Sequence, residues 1–353
     1  MKIGVEEEFI VVDPKTLFLH SGSFRLATHL IYKNPIYQKK CSVELPLNSG
    51  SVKTILQNAG KAFCVFEIKT EPYEDIDRLR EELKFHRGNV ADTARDNHLM
   101  VLPTGLHPAH SSKDFVDHCA AFHVHLDYSK EAFQRLYGFI PFLISQSTNS
   151  PFLDGKIQAM SNRMHLSAHV NIPTMGLQRN ADIIHNPSLN TVEVKVFDTQ
   201  ITIDESMGLA SLVKMIGEDP CFHSEIMKGD YVKLREQAIL YGSKGSLIDK
   251  DHLRIFEDNV DTSKILNQMN GSDWQIELFK KHGLSSVVHS LWESFQHDER
   301  MIKTSSQEID RNESSFWNLF YLFPYSPFLC MDKYNKYLQD IAYSGGLRKI
   351  IHN

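Results

Sequence analysis

The 353-residue chain has no apolar run long enough to cross a bilayer. Its most apolar stretch, around Leu136 to Ile144, falls far short of the ~20 residues a spanning helix needs. It has no C-x-x-C pair. Its five cysteines, Cys41, Cys64, Cys119, Cys221 and Cys330, are odd in number and widely scattered, which argues against a disulfide framework and suits a reducing cytoplasm. It has no long basic block, and its formal charge of −6 argues against nucleic acid as a main partner. The opening Met1-Lys-Ile-Gly-Val-Glu-Glu-Glu puts acid where a signal peptide needs apolar residues, so a cytoplasmic location is expected. No internal repeat or linker interrupts the chain. What is present, 42% hydrophobic and 23% charged residues, suits one large globular domain, or a main domain with a smaller appendage.

Three segments read as strands with polar residues spaced by two. Lys2 to Val12 is rich in strand-favouring residues and ends at Asp13-Pro14. Ala120 to Leu126 sets Phe122, Val124 and Leu126 against His123 and His125. Asn190 to Phe197 sets Val192, Val194 and Val196 against Thr191, Glu193 and Lys195. Ala62 to Thr70 and Leu99 to Pro103 are further strand candidates. Pro72 opens a long helix whose Ile76, Leu79, Leu83, Val90 and Ala94 share a face. Ser129 can cap another helix, with Pro141 a kink or break within it. From about Asp204 the pattern turns helical, and Asp261 to His297 reads as helices. Strands first and helices later indicate an α+β fold.

The polar faces carry the chemistry. Strand parity puts Glu6 and Glu8 on one face and Glu7 on the other. Carboxylates crowded on a strand repel one another, and a hard divalent cation such as Mg²⁺ or Mn²⁺ offsets them; a solvated edge strand is the simpler alternative. His123-Val-His125 presents two imidazoles to one side, as ligands or phosphate contacts. Glu193 and Lys195 read equally as a cross-strand ion pair. His107 before Pro108 reads as a turn residue, Cys119 as a small buried residue, and the aromatic segment from Phe316 to Phe328 as packing or a subunit contact.

The ordered set Gly4-Val-Glu-Glu-Glu-Phe9, Phe122-His-Val-His125, Asn149-Ser-Pro-Phe152 and Thr191-Val-Glu-Val-Lys-Val196 resembles the type 2 glutamate–cysteine ligase family, or carboxylate–amine ligases. Gly105-Leu-His-Pro108, Phe66-Glu-Ile-Lys-Thr70, Ser161-Asn-Arg163 and Arg235…Ala238…Tyr241-Gly242 support it, over roughly residues 1 to 245. The resemblance implies a glutamine-synthetase-like catalytic sheet, antiparallel or mixed and flanked by helices. It would occupy residues 1–260, with 261–353 a helical extension packed on the same domain. It also implies ATP and Mg²⁺ (or Mn²⁺) as cofactors, amino-acid substrates, no membrane partner, and a homodimer or larger assembly. In the implied reaction a carboxylate is phosphorylated by ATP and an amine then displaces phosphate to form an amide. Glu6, Glu8, Glu67, His123 and Glu193 would hold metal, and His125 would contact nucleotide phosphate. Lys195, Arg163 and Arg235 would face the transferring phosphoryl group or the substrate carboxylates.

Several positions depart from that pattern. Lys195 stands where the fold normally has arginine, losing the bidentate fork. Phe63, Ile184 and Leu240 stand where acidic or cationic residues are expected. Two other readings therefore stay open. One is a degenerate ligase fold acting as a nucleotide-binding protein. The other is a zinc-dependent hydrolase built on His118, His123, His125 and Asp127.

Overall fold

The computed structural model describes residues 1–43, 64–111, 118–166, 181–222, 228–244, 256–257 and 260–311. Among them lie the strands β1 (Ile3–Asp13), β2 (Phe18–Leu19), β3 (Cys41–Val43), β4 (Val65–Lys69), β5 (Met100–Leu102), β6 (Ala121–Asp127), β7 (Phe152–Leu153), β8 (Lys156–Ile157), β9 (Ile183–Asn186) and β10 (Thr191–Asp198). The helices are α1 (Ser23–Lys33), α2 (Tyr37–Lys40), α3 (Ile76–Asp96), α4 (Lys130–Gln146), α5 (Asn162–Leu166), α6 (Ile203–Glu218), α7 (Lys228–Tyr241), α8 (Val260–Asn267), α9 (Gly271–His282) and α10 (Leu284–His297). None of the described helices is long and apolar enough to cross a membrane. Phe63, Cys330 and the aromatic segment Phe316 to Phe328 lie outside the described residues.

The strands order as β3-β4-β1-β6-β10-β9, with β2 and β5 also paired to β1, and every described pairing is antiparallel. β1 is the spine because it is long enough for two partners on one flank: β6 takes Ile3 to Glu7, and β5 takes Ile10 to Val12. Alternation along β1 then separates two faces. On the back, the Phe9 ring meets Phe295 of α10 at 4.9 Å, and Glu7 reaches Arg87 of α3 and Ser206 of α6. Closeness is extreme at the end of α6, where a Cβ on Gly217 would collide with Leu126 of β6.

Two expectations need revision. The helix expected from Pro72 starts at Ile76 with Asp75 as its cap, the Asp75 side chain accepting from the Asp77 N–H. Tyr73 is still extended there because its backbone exchanges hydrogen bonds of 2.7 and 2.8 Å with Ile3. Pro141 does not break α4: the helix runs through to Gln146, held by the buried Phe139, Ile140, Phe142, Leu143 and Ile144 that flank it. Ser129 caps α4 by accepting from the Ala132 N–H, and Thr202 with Glu205 forms a capping box on α6.

After α10 the chain doubles back as an extended strap. Ser294, Ser290 and Ser286, one helical turn apart and fully buried, each accept a backbone N–H (from Met301, Lys303 and Ser305, at 2.8, 2.7 and 2.9 Å). The same hydroxyls donate to the carbonyls of those three residues. The strap then meets the β1–β2 turn, where Gln307 donates to the Pro14 and Lys15 carbonyls.

Candidate active site

The front face of the sheet gathers residues from β3, β4, β1, β6, β10 and β9. Register places Lys69, Glu6 and His123 in one cross-strand row. Glu67 and Glu8 form a second, with Ser42 beside Glu67. A third runs His125, Glu193, Ile184. Glu6, Glu8, Glu67, His123, His125, Glu193 and Lys195, read from the sequence on parity and resemblance, therefore share one face.

The alternation expected along β10 holds only to Val194. Between Val194 and Phe197 the register shifts, so that Lys195 and Val196 together oppose the single residue His123. This bulge reverses the later parity. Phe197 pairs with Phe122 on the back, and Asp198 pairs with Ala121 on the front.

Contacts on this face are close and almost entirely ionic. Lys69 Nζ lies 2.6 Å from Glu6 Oε1 and 2.9 Å from Glu67 Oε1, and Ser42 donates to Glu67. Glu6 Oε2 lies 3.5 Å from His123 Nδ1 and 3.7 Å from His125 Nε2. Glu193 Oε1 accepts from Lys195 Nζ at 2.8 Å and lies 3.7 Å from His123 Nδ1. Glu8 Oε2 accepts from the Ala121 N–H at 2.7 Å. Among the described residues, four carboxylates and two ammonium groups meet on this face.

Titration behaviour follows from that balance. Burial pushes the Glu6 carboxyl up, but the His123 and His125 imidazoles beside it and the Lys69 charge outweigh it, holding Glu6 well below the usual carboxylate range. Glu193 is likewise lowered: burial raises it, and the Lys195 ammonium, which also donates a hydrogen bond to it, overcomes that. Burial, reinforced by Lys195, lowers His123, leaving a neutral imidazole at neutral pH. Both lysines are raised, burial being outweighed by their carboxylate partners.

The donor set fits a divalent cation. Single ligand atoms of Glu6, His125 and Glu193 lie within 4.8 Å of one another, the one such group among the described residues. His125 Nε2 is buried with no hydrogen-bond partner. An orphaned imidazole nitrogen beside two carboxylates held in their charged form is what a hard or borderline metal ion satisfies. The geometry draws His125 into this group, where the sequence reading gave it to nucleotide phosphate and placed His123 on the metal; His123 stands two residues before it on β6, 3.5 and 3.7 Å from the two acids.

The two predicted arginines lie in buried ion pairs. Arg163 Nε donates to Asp198 Oδ1 at 2.8 Å, and Arg235 forks onto Asp182 at 2.6 and 3.0 Å. Asp198, which the sequence reading missed, also accepts from Ser161 Oγ, the Asn149 N–H and Ser150 Oγ. A Cβ on Gly105 would strike its carboxylate. Gly105, Asn149-Ser150 and Ser161-Asn-Arg163, all noticed as motifs, thus converge on one buried acid. A charged residue directly after the apolar Val196-Phe197 pair was the available signal. Lys69 was also missed, although it shares its face with Glu67 two residues before it. His118 and Asp127 do not join the cluster: the His118 ring faces His110 at 6.2 Å, and Asp127 accepts the Lys2 N–H.

Comparison with known proteins bears on the fold and the family resemblance. Residues 2–120 match the model of the family described as Glutamate-cysteine ligase family 2 (GCS2). Over those residues the chain is similar to that family. A relative in Cronobacter sakazakii named "Putative glutamate--cysteine ligase 2" is 24% identical over 305 residues, covering 70% of this chain and 77% of its own. A Salmonella arizonae protein of the same name is 23% identical, covering 82% and 86%. Among solved structures, a glutamate–cysteine ligase from Francisella tularensis in complex with AMP superposes with a TM-score of 0.55 at 12% identity, over 94% of this chain and 95% of that one. A bifunctional glutathione synthetase from Pasteurella multocida gives 0.56 at 10% identity, over 84% of this chain and about half (51%) of that one. The α+β fold, an antiparallel sheet with helices, is therefore shared with ligases of this group.

Proposed function

We propose that the protein is an ATP-dependent carboxylate–amine ligase whose front sheet face holds Mg²⁺ or Mn²⁺ at Glu6, His125 and Glu193. The carrying observation is the convergence of those three residues around an orphaned imidazole nitrogen. The bound ion supplies charge neutralisation for the nucleotide phosphates. The reaction proposed is transfer of the ATP γ-phosphoryl group to an amino-acid carboxylate, releasing ADP, followed by attack of an amine that expels phosphate and leaves an amide. Residues 1–260 form the catalytic unit and 261–353 its helical extension. The protein works in the cytoplasm on small amino-acid substrates, as a homodimer.

Within this reading Lys195 has a defined task. Its ammonium is held on the face by Glu193 and stays charged at neutral pH, so it offsets charge on the transferring phosphoryl group. His123, neutral and in contact with Glu6 and Glu193, orients both carboxylates. Arg163 and Arg235, tied to Asp198 and Asp182, fix the two ends of the β9–β10 region.

The test is ADP and phosphate release measured over pairs of amino acids and amines, with the product identified by mass spectrometry. Release should require both substrates. Glu193→Gln should lower it by about 10²–10³-fold, the scale of losing a group that stabilises transition-state charge. Full activity in that variant would sink the assignment. ATP binding with no product from any pair would favour a nucleotide-binding protein instead.

A further inference from the structure

Lys69 belongs to neither the expected metal ligands nor the expected phosphate contacts, yet it sits among the acids of the site face. Its ammonium bridges Glu6 Oε1 and Glu67 Oε1 at 2.6 and 2.9 Å. Glu67 is 3% exposed and takes a further hydrogen bond from Ser42. Glu6 thereby divides its two oxygens. Oε1 goes to Lys69, and Oε2 faces the two imidazoles. Two different ways of neutralising carboxylates lie side by side on one sheet.

We infer that Lys69 is a built-in cation that takes the place of a divalent ion between Glu6 and Glu67, so that this face binds metal at its Glu6–His125–Glu193 end and not at its Glu67 end. A divalent ion bridging Glu6 Oε1 and Glu67 would have to lie where the ammonium lies, and two cations repel at that separation. The lysine is covalently tethered and bridges both acids at ion-pair distance, so it does not diffuse away. At the other end, among the described residues, Lys195 pairs with Glu193 Oε1 and does not bridge to Glu6, and His125 Nε2 has no hydrogen-bond partner. The inference rests on the metal reading proposed above for that other end. It makes Glu67, counted among the metal ligands in the sequence reading, a partner of lysine instead.

The experiment counts Mn²⁺ sites without nucleotide, by equilibrium dialysis with electron paramagnetic resonance of free Mn²⁺. Lys69→Gln should bind one more ion per chain than the wild type, and Lys69→Gln/Glu67→Gln should lose it again. Lys69→Arg, which keeps the charge, should match the wild type. Mn²⁺ should also raise the melting temperature of Lys69→Gln more than that of the wild type, because it replaces the lost charge. An unchanged count in folded Lys69→Gln overturns the inference. Should that variant fail to fold, Glu67→Gln alone decides: an unchanged count supports the inference, and loss of one site overturns it. A wild type with no Mn²⁺ site would strike the metal reading of the proposed function, while the difference between Lys69→Gln and wild type still judges Lys69.

Discussion

Glu6 and Glu7 are consecutive, identical in chemistry and opposite in circumstance. Glu7 points to the back of the sheet, fully buried, and its carboxylate is matched by the Arg87 guanidinium and the Ser206 hydroxyl. Arg87 spends its remaining donors on the Ile201 and Gln200 carbonyls at 3.0 and 2.9 Å. Nothing in that arrangement is left over. Glu6, on the front, keeps one oxygen beside imidazoles at 3.5–3.7 Å, outside good hydrogen-bond distance. A closed charge network specifies how β1 sits on α3 and α6, whereas an incomplete one on the same strand is free to accept a ligand.

The largest effect should come from breaking the closed side. Arg87→Ala strands a buried carboxylate and should cost about 3–5 kcal/mol in urea unfolding. The double variant Glu7→Gln/Arg87→Met should recover most of that. A single variant that unfolds like wild type would mean the back face is not the closed network described. Glu6→Gln probes the open side. Lys69 keeps Glu67 as its partner and the site is partly open to water, so in metal-free buffer it should cost less than Arg87→Ala. It should nonetheless weaken Mn²⁺ binding, and a stability loss equal to that of Arg87→Ala would erase the contrast between the faces.

The smallest effect concerns an acid between these extremes. Glu82 on α3 is pushed up by burial, but His86, the Glu71 N–H and Lys40 bring it down to about 2. A carboxyl lowered in the folded state contributes stability above its ordinary pKa and loses it as pH falls toward about 2. Lys40→Met should therefore move the acid-unfolding midpoint upward, followed by circular dichroism. No movement would show that Lys40, 3.1 Å away, does not hold the carboxylate in its charged form.

What could be read from the chain followed from local periodicity. β1, β6 and β10 alternate clearly, so the front positions of Glu6, Glu8, His123, His125 and Glu193 were legible as strand parity. The partners were not. Lys69 meets Glu6 across 63 residues of sequence, and nothing local fixes which strand lies beside β1. The bulge at Lys195–Val196 is an exception to alternation and cannot be read from it, which hid Asp198. β9 is four residues long, and its Ile184 comes to the face only because β10 pairs with it.

The three serines of α10 and the strap beside them behave as a vernier. Four helical residues advance about 6.0 Å, while two extended residues advance about 6.6 Å. Two scales with slightly different divisions agree over a few marks and then diverge. Ser294, Ser290 and Ser286 are the marks that agree, and the next contact moves to Ser285, which takes the Gln307 carbonyl as the strap turns toward β1. The mismatch of two regular rises thus sets how far such a strap can follow a helix, and lengthening α10 by a turn would add helix without adding a rung.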